Sequence, residues 1–404
     1  MEERDVLVIG CGPAGSGAGL SASDGADTLM VDRKREIGTP VQCGEVIGRT
    51  LLEAAGLELP PSVTCGEQDH TRFIIDRRLE VINREPYWAS VTVERKMLDK
   101  WLAARAARAG ASVACDTRLT SLRSEEGRMV AGLSHRGSRR EVAARALVAA
   151  DGVHSTVSSL MGERLFDPMA VARGIEFEMV SGEEMPPCMQ IFLEPEIGMG
   201  YGWIIPKGEG RANVGVGILA PFDRREEFLR EWIGTHPLVS KYFSTEHILE
   251  VKRGEAPVPG FSGGVSRGQV LYAGDSAGQT LAFVGEGIMP SHMCGRMAGE
   301  VAAAACSEDD PSLLQGYDRA VGQRLGEELG MGAELKDLIQ MTFMRPDLSM
   351  SEKVTACGLM MGECLQPEEM RMLTRSDLDR TLDPARLSED LESTGARVEL
   401  NRLD

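Results

Sequence analysis

At 404 residues the chain is longer than the ~250–300 residues at which a single hydrophobic core stops growing, so two or three packed regions are expected. Its 42% hydrophobic and 26% charged residues exclude a disordered or fibrous chain. A formal net charge of −18 argues against nucleic acid and anionic head groups as general partners, because both attract a basic surface, and leaves room for a local basic patch.

The first strand is expected at Asp5–Ile9, a short apolar run that leads into Gly10-Cys11-Gly12-Pro13-Ala14-Gly15 and a small-residue helix through Ser23. A second strand, Thr28–Val31, ends at Asp32. Less regular sequence with short alternating runs follows from Leu51 to about Trp88, as in a small antiparallel sheet. Leu98, Leu102 and Ala106 then recur every four residues in a helix from Glu94 to Ala109, and a short strand follows at Ser112–Cys115. The strand Ala146–Ala150 leads into Asp151-Gly152, and a strand-rich segment runs from about Ala172 to Leu219.

A buried strand near Gln269–Ala273 leads into Gly274-Asp275, and a small-residue helix is expected from about Ser291 to Ala305. Beyond Pro311 the chain is mainly helical: Leu335, Leu338 and Met341 share a face, Arg345-Pro346 breaks it, and Ser349 with Glu352 forms a capping box. The Met-rich helices (Met341, Met344, Met350, Met360, Met361, Met370) form either ordinary packing core or an adaptable apolar surface. The last thirty or so residues, acidic and poor in apolar side chains, read as a surface helix or loose tail. The organisation is therefore an α/β nucleotide-binding domain in three pieces (1–65, 92–165 and 255–310), an inserted antiparallel β-sheet substrate domain (66–91 and 166–254), and a helical C-terminal region (311–404).

Nine cysteines, an odd number at wide spacings without a CxxC pair, fit thiols in a reducing compartment and offer no iron–sulfur ligand set. No run reaches the ~18 apolar residues of a membrane span, and Met1-Glu2-Glu3-Arg4 does not read as a signal peptide. A cytoplasmic protein that takes electrons from outside is expected, with no metal site.

The glycine-rich turn is the first chemical motif. Gly10 permits the tight turn, Gly12 lets the backbone approach a pyrophosphate, and Gly15 allows close helix–strand packing, so that phosphates meet the positive end of the helix. Asp32 lies 20 residues past Gly12, where a carboxylate accepts from ribose hydroxyls. The strand, helix and acid in their expected places read as a dinucleotide site. Gly17 and Gly19 cost ~1 kcal/mol each within a helix; close packing would explain them.

The late segment Leu271-Tyr272-Ala273-Gly274-Asp275-Ser276-Ala277-Gly278 resembles the second FAD motif of the p-hydroxybenzoate hydroxylase-like flavoproteins, and Asp151-Gly152 resembles their middle motif. The resemblance implies a Rossmann-type FAD-binding domain of that kind. By it Asp275 holds the ribityl hydroxyls, Arg95 faces the cofactor, and Arg33 and Leu119 join the binding set with Gly10, Gly12, Ala14, Gly15 and Asp32. On its own, Asp275 would read equally well as a turn or N-cap carboxylate.

Two further segments, Pro40-Val41-Gln42-Cys43-Gly44-Glu45 and Gly200-Tyr201-Gly202-Trp203-Ile204-Ile205-Pro206-Lys207-Gly208, resemble the geranylgeranyl reductase family. The second has Ile205 where phenylalanine is usual. Gly285-Glu286-Gly287-Ile288 resembles the family's flavin-facing turn, with Leu281-Ala282-Phe283-Val284 replacing its usual lead-in. The family implies FAD-dependent saturation of C=C bonds in geranylgeranyl chains, in particular of archaeal ether phospholipids, with an external donor (ferredoxin or a reduced pyridine nucleotide) and peripheral work at a membrane surface. It implies roles for Cys43, Tyr201 and Trp203 in catalysis, and for Cys43, Gly44, Val46, Gly287 and Ile288 in cofactor contact. Tyr201 and Trp203, two apart on a strand, present both rings to one side. Cys43 reads equally as an aid to proton delivery or as an inert buried thiol, and His292 as a core residue or a proton relay. The alternatives are a flavin monooxygenase of the same fold and a non-catalytic prenyl carrier.

Overall fold

The computed structural model describes residues 1–260, 263–374, 381–394 and 397–403; the few remaining positions of the expected FAD and C-terminal regions lie outside the described residues. In chain order the strands are β1 (Glu2–Ile9), β2 (Thr28–Val31), β3 (Val46–Gly48), β4 (Thr64–Gln68), β5 (Thr71–Ile75), β6 (Leu79–Asn83), β7 (Ser90–Val93), β8 (Ser112–Ala114), β9 (Thr117–Glu125), β10 (Arg128–His135), β11 (Ser138–Ala149), β12 (Val171–Val180), β13 (Met189–Leu193), β14 (Gly200–Gly208), β15 (Arg211–Ile218), β16 (Ile248–Pro257), β17 (Ser266–Arg267), β18 (Val270–Tyr272) and β19 (Val398–Arg402). The helices are α1 (Pro13–Ala22), α2 (Arg49–Ala54), α3 (Arg95–Arg108), α4 (Thr156–Met161), α5 (Arg225–Thr235), α6 (Pro237–Ser240), α7 (Ile288–Ser307), α8 (Gly316–Met344), α9 (Met350–Met361), α10 (Pro367–Met372) and α11 (Pro384–Thr394).

The chain divides into two units, one of residues 1–41, 95–171 and 256–333, the other of residues 42–94, 172–255 and 334–404. The first differs from the expected FAD domain chiefly in losing residues 42–65: β3 and β4 both pair with β7, which ties that segment to the second unit. The helical C-terminal region is not a separate third body, because the division falls within α8.

In the first unit the sheet order is β17-β18-β11-β1-β2-β8, with the β9–β10 hairpin attached to β11. β1 pairs in parallel with β2 on one side and β11 on the other, so the chain reverses its direction of winding beside β1. In such sheets ligands bind in the crevice beyond the strand ends at that point. The turns that end β1 and β11 are Gly10–Gly12 and Ala150–Gly152, the glycine-rich turn and the Asp-Gly segment picked out above.

α1 is buried on nearly every side and packs against α7. A Cβ on Gly17 would lie 2.4 Å from the His292 carbonyl oxygen, and one on Gly295 would lie 1.9 Å from the Ala14 carbonyl oxygen. The two helices thus touch backbone to backbone, which explains glycines that propensity alone disfavours.

In the second unit an eight-stranded sheet runs β16-β12-β15-β14-β13-β5-β6-β19, and β3-β7-β4 forms a smaller one. From β12 to β19 the large sheet is antiparallel as expected except at β13–β5, which is parallel. Alternation assigns its faces. Ile175, Phe177, Ile204, Val214 and Val216 face a core completed by Leu229, Trp232 and Ile233 of α5. Their neighbours along the same strands face the other way and form the site described below. The acidic end of the chain forms α11 and then β19, which pairs with β6 at the sheet edge, so the reading of a helix or loose tail missed a strand. The shared helical face also splits: Leu338 is buried but Met341 is 63% exposed. Met344 and Met350 are exposed too, whereas Met360, Met361 and Met370 are core.

Candidate functional site

Within the first unit the three glycine-acid segments converge through close contacts. Gly10 has φ +102, and a Cβ there would lie 2.2 Å from the Ala150 carbonyl oxygen. Gly274, at φ +75, would meet the Ala14 Cβ at 2.8 Å and Ser291 Oγ at 3.0 Å. Gly15 backs onto Gly10, whose carbonyl oxygen would be 1.8 Å from a Cβ. Only glycine fits these three positions without displacing main chain.

Gly12 differs: beyond its chain neighbours, no atom of a described residue lies within 4 Å of where its Cβ would be, and it caps α1 without a side-chain hydrogen bond. An open glycine at the N-terminus of a buried helix is what a pyrophosphate requires. Asp32 stands at the end of β2, where its Oδ2 accepts from the Cys11 N–H at 2.9 Å and its Oδ1 from the Lys34 N–H at 2.8 Å. This locks the turn and fixes the carboxylate at the strand's end; exposed Arg33 follows it.

Asp275 is not a helix cap. Its short helix Gly274–Ala277 begins at Ala273 without a side-chain cap, and the carboxyl oxygens accept no hydrogen bond from any described residue. Burial pushes this carboxyl up to about 6, against the opposing pull of the Arg95 charge. A Cβ on Gly287 would lie 3.3 Å from Asp275 Oδ1, which brings the Gly287-Ile288 start of α7 to the same place. The departing lead-in forms a closed loop, with the Leu281 N–H donating to the Glu286 carbonyl at 2.8 Å and the Gly285 N–H to the Leu281 carbonyl at 2.7 Å. Arg95 also pairs with Asp99, at 3.0 Å from Oδ1. These residues fit FAD: an open phosphate turn, a ribose acid, and an acid without protein donors for polyol hydroxyls.

Asp151 has a structural task, accepting from Ser155 Oγ and from the Thr156 and Val157 N–H groups at the start of α4. Leu119 is buried in β9 opposite Leu133. His292 is a core residue whose Nδ1 lies 3.3 Å from the Pro13 carbonyl. Burial lowers it to about 4, so the neutral ring donates through Nδ1 and steadies the glycine-rich turn. Replacing Asp32 by alanine removes the anchor of Cys11 and a ribose acceptor; flavin-fluorescence titration of the apoprotein is expected to show FAD bound ~10–100-fold more weakly, two lost charge-assisted hydrogen bonds.

In the second unit the sheet register sets the other group. Tyr201, Trp203, Ile205 and Lys207 project from one face of β14; Gly217, Gly215 and Asn213 of β15 and Gly174, Glu176 and Glu178 of β12 lie opposite them in rows. A Cβ on Gly215 would lie 2.5 Å from Trp203 Cζ2, and one on Gly217 3.2 Å from Cζ3. The indole therefore lies on a glycine floor. Tyr201 packs against it with ring centroids 5.9 Å apart. Both rings are half-buried.

The Cys43-Gly44-Glu45 segment docks on this same face. Asn213 Nδ2 donates to the Gly44 carbonyl at 3.0 Å and to Glu45 Oε2 at 2.9 Å. Glu45 Oε2 also accepts from Lys207 Nζ at 2.7 Å and Lys252 Nζ at 2.6 Å, and all three residues are buried. Burial would raise the Glu45 carboxyl, but the two ammonium groups hold it at about 2. Glu45 adopts φ +66, a conformation kept by a non-glycine residue only where its surroundings impose it. Cys43, half-buried, accepts from the Glu45 N–H at 3.3 Å, and Val46 opens β3 just beyond. All nine cysteines are thiols.

The buried group of Glu45, Glu176, Glu178, Lys207, Asn213 and Lys252 was absent from the sequence reading. One trace of it was there: in Gly174-Ile-Glu-Phe-Glu-Met179 two acids alternate with core residues, which puts both on one face of a half-buried strand.

The FAD binding domain family matches residues 3–196, and the geranylgeranyl reductase catalytic domain family matches residues 171–255. The chain is 36% identical to digeranylgeranylglycerophospholipid reductase 2 of Methanopyrus kandleri over 338 residues, 81% of this chain and 83% of that one. It is 34% identical to the digeranylgeranylglycerophospholipid reductase of Methanococcus aeolicus over 315 residues, 76% and 80% of the two chains. A geranylgeranyl bacteriochlorophyll reductase-like protein from Thermoplasma acidophilum superposes with a TM-score of 0.80 at 25% identity, over 97% of this chain and 99% of that one.

Proposed function

The chain belongs to the digeranylgeranylglycerophospholipid reductase family and is a FAD-dependent reductase, and we propose that it saturates the geranylgeranyl chains of archaeal ether phospholipids. The observation that carries this reading is the aromatic face of the second unit, where Trp203 lies flat on a glycine floor beside Tyr201. Half-buried aromatic surfaces suit a featureless hydrocarbon chain, which offers no polar group to recognise.

Reduced FAD, when bound, supplies the hydride that an isolated C=C bond requires. Gly12 and Asp32 hold its pyrophosphate and ribose, and Asp275 with Arg95 orients the ribityl chain. Tyr201 and Trp203 hold the isoprenoid and keep water away from it. Cys43, carried on a segment that Asn213 and two lysines fix in place, acts beside the reacting bond. Electrons come from an external carrier, a ferredoxin or a reduced pyridine nucleotide. Because the substrate's tails lie in a bilayer, the chain works at the membrane surface; no described helix is long and apolar enough to cross one.

The test is anaerobic. The protein is reduced with dithionite, a geranylgeranyl ether lipid is added, and flavin absorbance is followed beside the lipid's mass. Reoxidation with two hydrogens gained per double bond is expected, and Trp203→Ala or Tyr201→Ala should lower kcat/KM ~10–100-fold through lost apolar contact. Flavin that stays reduced over unchanged lipid would overturn the reading, and reoxidation only by oxygen with an aromatic compound would replace it with a monooxygenase.

A further inference from the structure

The two buried lysines of the second unit have no donor to spare. Lys207 Nζ donates to Glu45 at 2.7 Å, Glu178 at 2.9 Å and Glu94 at 3.1 Å. Lys252 Nζ donates to Glu45 at 2.6 Å, Asn213 Oδ1 at 2.9 Å and Glu178 at 3.5 Å. An ammonium has three protons, so both sets are complete. Arg211 adds a third cation, 2.8 Å from Glu178 Oε1.

Three cations thus face Glu45, Glu94 and Glu178, and Glu176 is a surplus carboxyl. Its Oε1 forms an ion pair with Lys252 Nζ at 3.3 Å without hydrogen-bond geometry, since that ammonium already donates to Glu45, Asn213 and Glu178. Its Oε2 accepts from Trp203 Nε1 at 3.0 Å. A Cβ on Gly44 would lie 3.7 Å from the same oxygen, so the carboxyl also borders the Cys43 segment.

We propose that Glu176 is the positioning residue of the aromatic wall: kept as a neutral carboxylic acid, it pins the Trp203 indole on its glycine floor, and its ionisation turns a surface that accepts hydrocarbon into one that does not. The inference rests on the reductase reading for the nature of the ligand, but not for the indole–carboxyl pair. Burial is the largest influence on the carboxyl, with Glu45 adding to it and Lys252 and the Trp203 bond opposing; the balance pushes it up to about 7. Below that pH the wall is uncharged. Above it a carboxylate lies under the apolar surface with one ammonium, already shared with Glu45 and Glu178, as its counter-charge, and burying hydrocarbon beside such a charge is unfavourable. Prenyl affinity therefore falls as pH rises.

The chain has four tryptophans, so the indole N–H resonances of protein labelled with 15N-indole tryptophan can be assigned by comparison with Trp203→Phe. The Trp203 signal is expected to titrate near neutral pH in the FAD-loaded wild type and to be flat in Glu176→Gln, which keeps an acceptor and cannot ionise. In turnover, KM for the geranylgeranyl lipid should rise up to ~10-fold per pH unit above the titration, the limit when one protonation state binds. Glu176→Gln should abolish that slope and recover most of what Glu176→Leu loses, with kcat little changed in either. A Trp203 resonance that ignores pH, or one that still titrates in Glu176→Gln, would overturn the proposal. Titration without any lipid reduction would instead sink the reductase reading and leave the pair intact.

Discussion

Glu45→Leu is expected to destabilise the protein by about 3–5 kcal/mol, the range for leaving a buried charge without its partner. The substitution removes the acceptor on which Lys207, Lys252 and Asn213 converge and leaves two buried ammonium groups each short of one carboxylate, Lys207 keeping Glu94 and Glu178 and Lys252 keeping Asn213 and Glu178. Urea unfolding followed by far-ultraviolet circular dichroism measures it. A loss under ~1 kcal/mol would mean that the lysines find water or give up their protons. Glu45→Gly separates charge from backbone, since it relieves a left-handed conformation worth ~1–3 kcal/mol and still loses the carboxylate; it should remain well below wild type.

The same carboxylate predicts acid behaviour. Its folded value, about 2, lies below the ordinary 4.5, so its stabilisation is complete above about pH 4.5 and is lost as pH falls toward 2. The shift corresponds to about 3 kcal/mol. Wild type should lose this amount between neutral pH and pH ~2 beyond whatever Glu45→Gln loses over the same interval.

The cofactor half of the molecule was legible because its information is local. Gly10, Gly12, Gly15 and Asp32 fall within one strand–turn–helix–strand unit, and each glycine's task follows from its place in the turn. Resemblance supplied Asp275, and the structure removed the competing N-cap reading by showing a carboxyl without protein donors. The substrate half was legible only in its strand alternation, which put Tyr201 and Trp203 on one side. The charge group beneath them joins residues 45, 176, 178, 207, 213 and 252, brought together by sheet register, and no spacing rule reaches across those separations. Lys252 in particular reads as an ordinary surface charge in Val-Lys-Arg-Gly. β19 escaped for a similar reason: an edge strand with one buried residue, Val398, carries almost no hydrophobic pattern.

The sharpest contrast lies between two glycines of the cofactor half. Gly12→Ala should leave apoprotein stability within ~0.5 kcal/mol of wild type, as surface substitutions do, because no atom of a described residue beyond its chain neighbours opposes the new methyl and the backbone is extended at φ −74. It should nonetheless abolish FAD retention on purification, because the methyl occupies the space through which a pyrophosphate reaches the N–H groups of α1. Gly295→Ala should do the reverse first. Its methyl would sit 1.9 Å from the Ala14 carbonyl oxygen, an overlap only main-chain movement can relieve, so the apoprotein should lose ~1–3 kcal/mol. FAD binding should weaken as a consequence, because α1 carries the phosphate turn and α7 begins at Gly287 beside Asp275, so parting the helices moves both ends of the cradle. Thermal unfolding of each apoprotein, followed by FAD titration, separates the two. If Gly12→Ala still binds FAD as wild type does, the pyrophosphate does not approach through that glycine and the assignment of the turn fails. If Gly295→Ala is stable and binds normally, the backbone contact of α1 with α7 does not set the cradle.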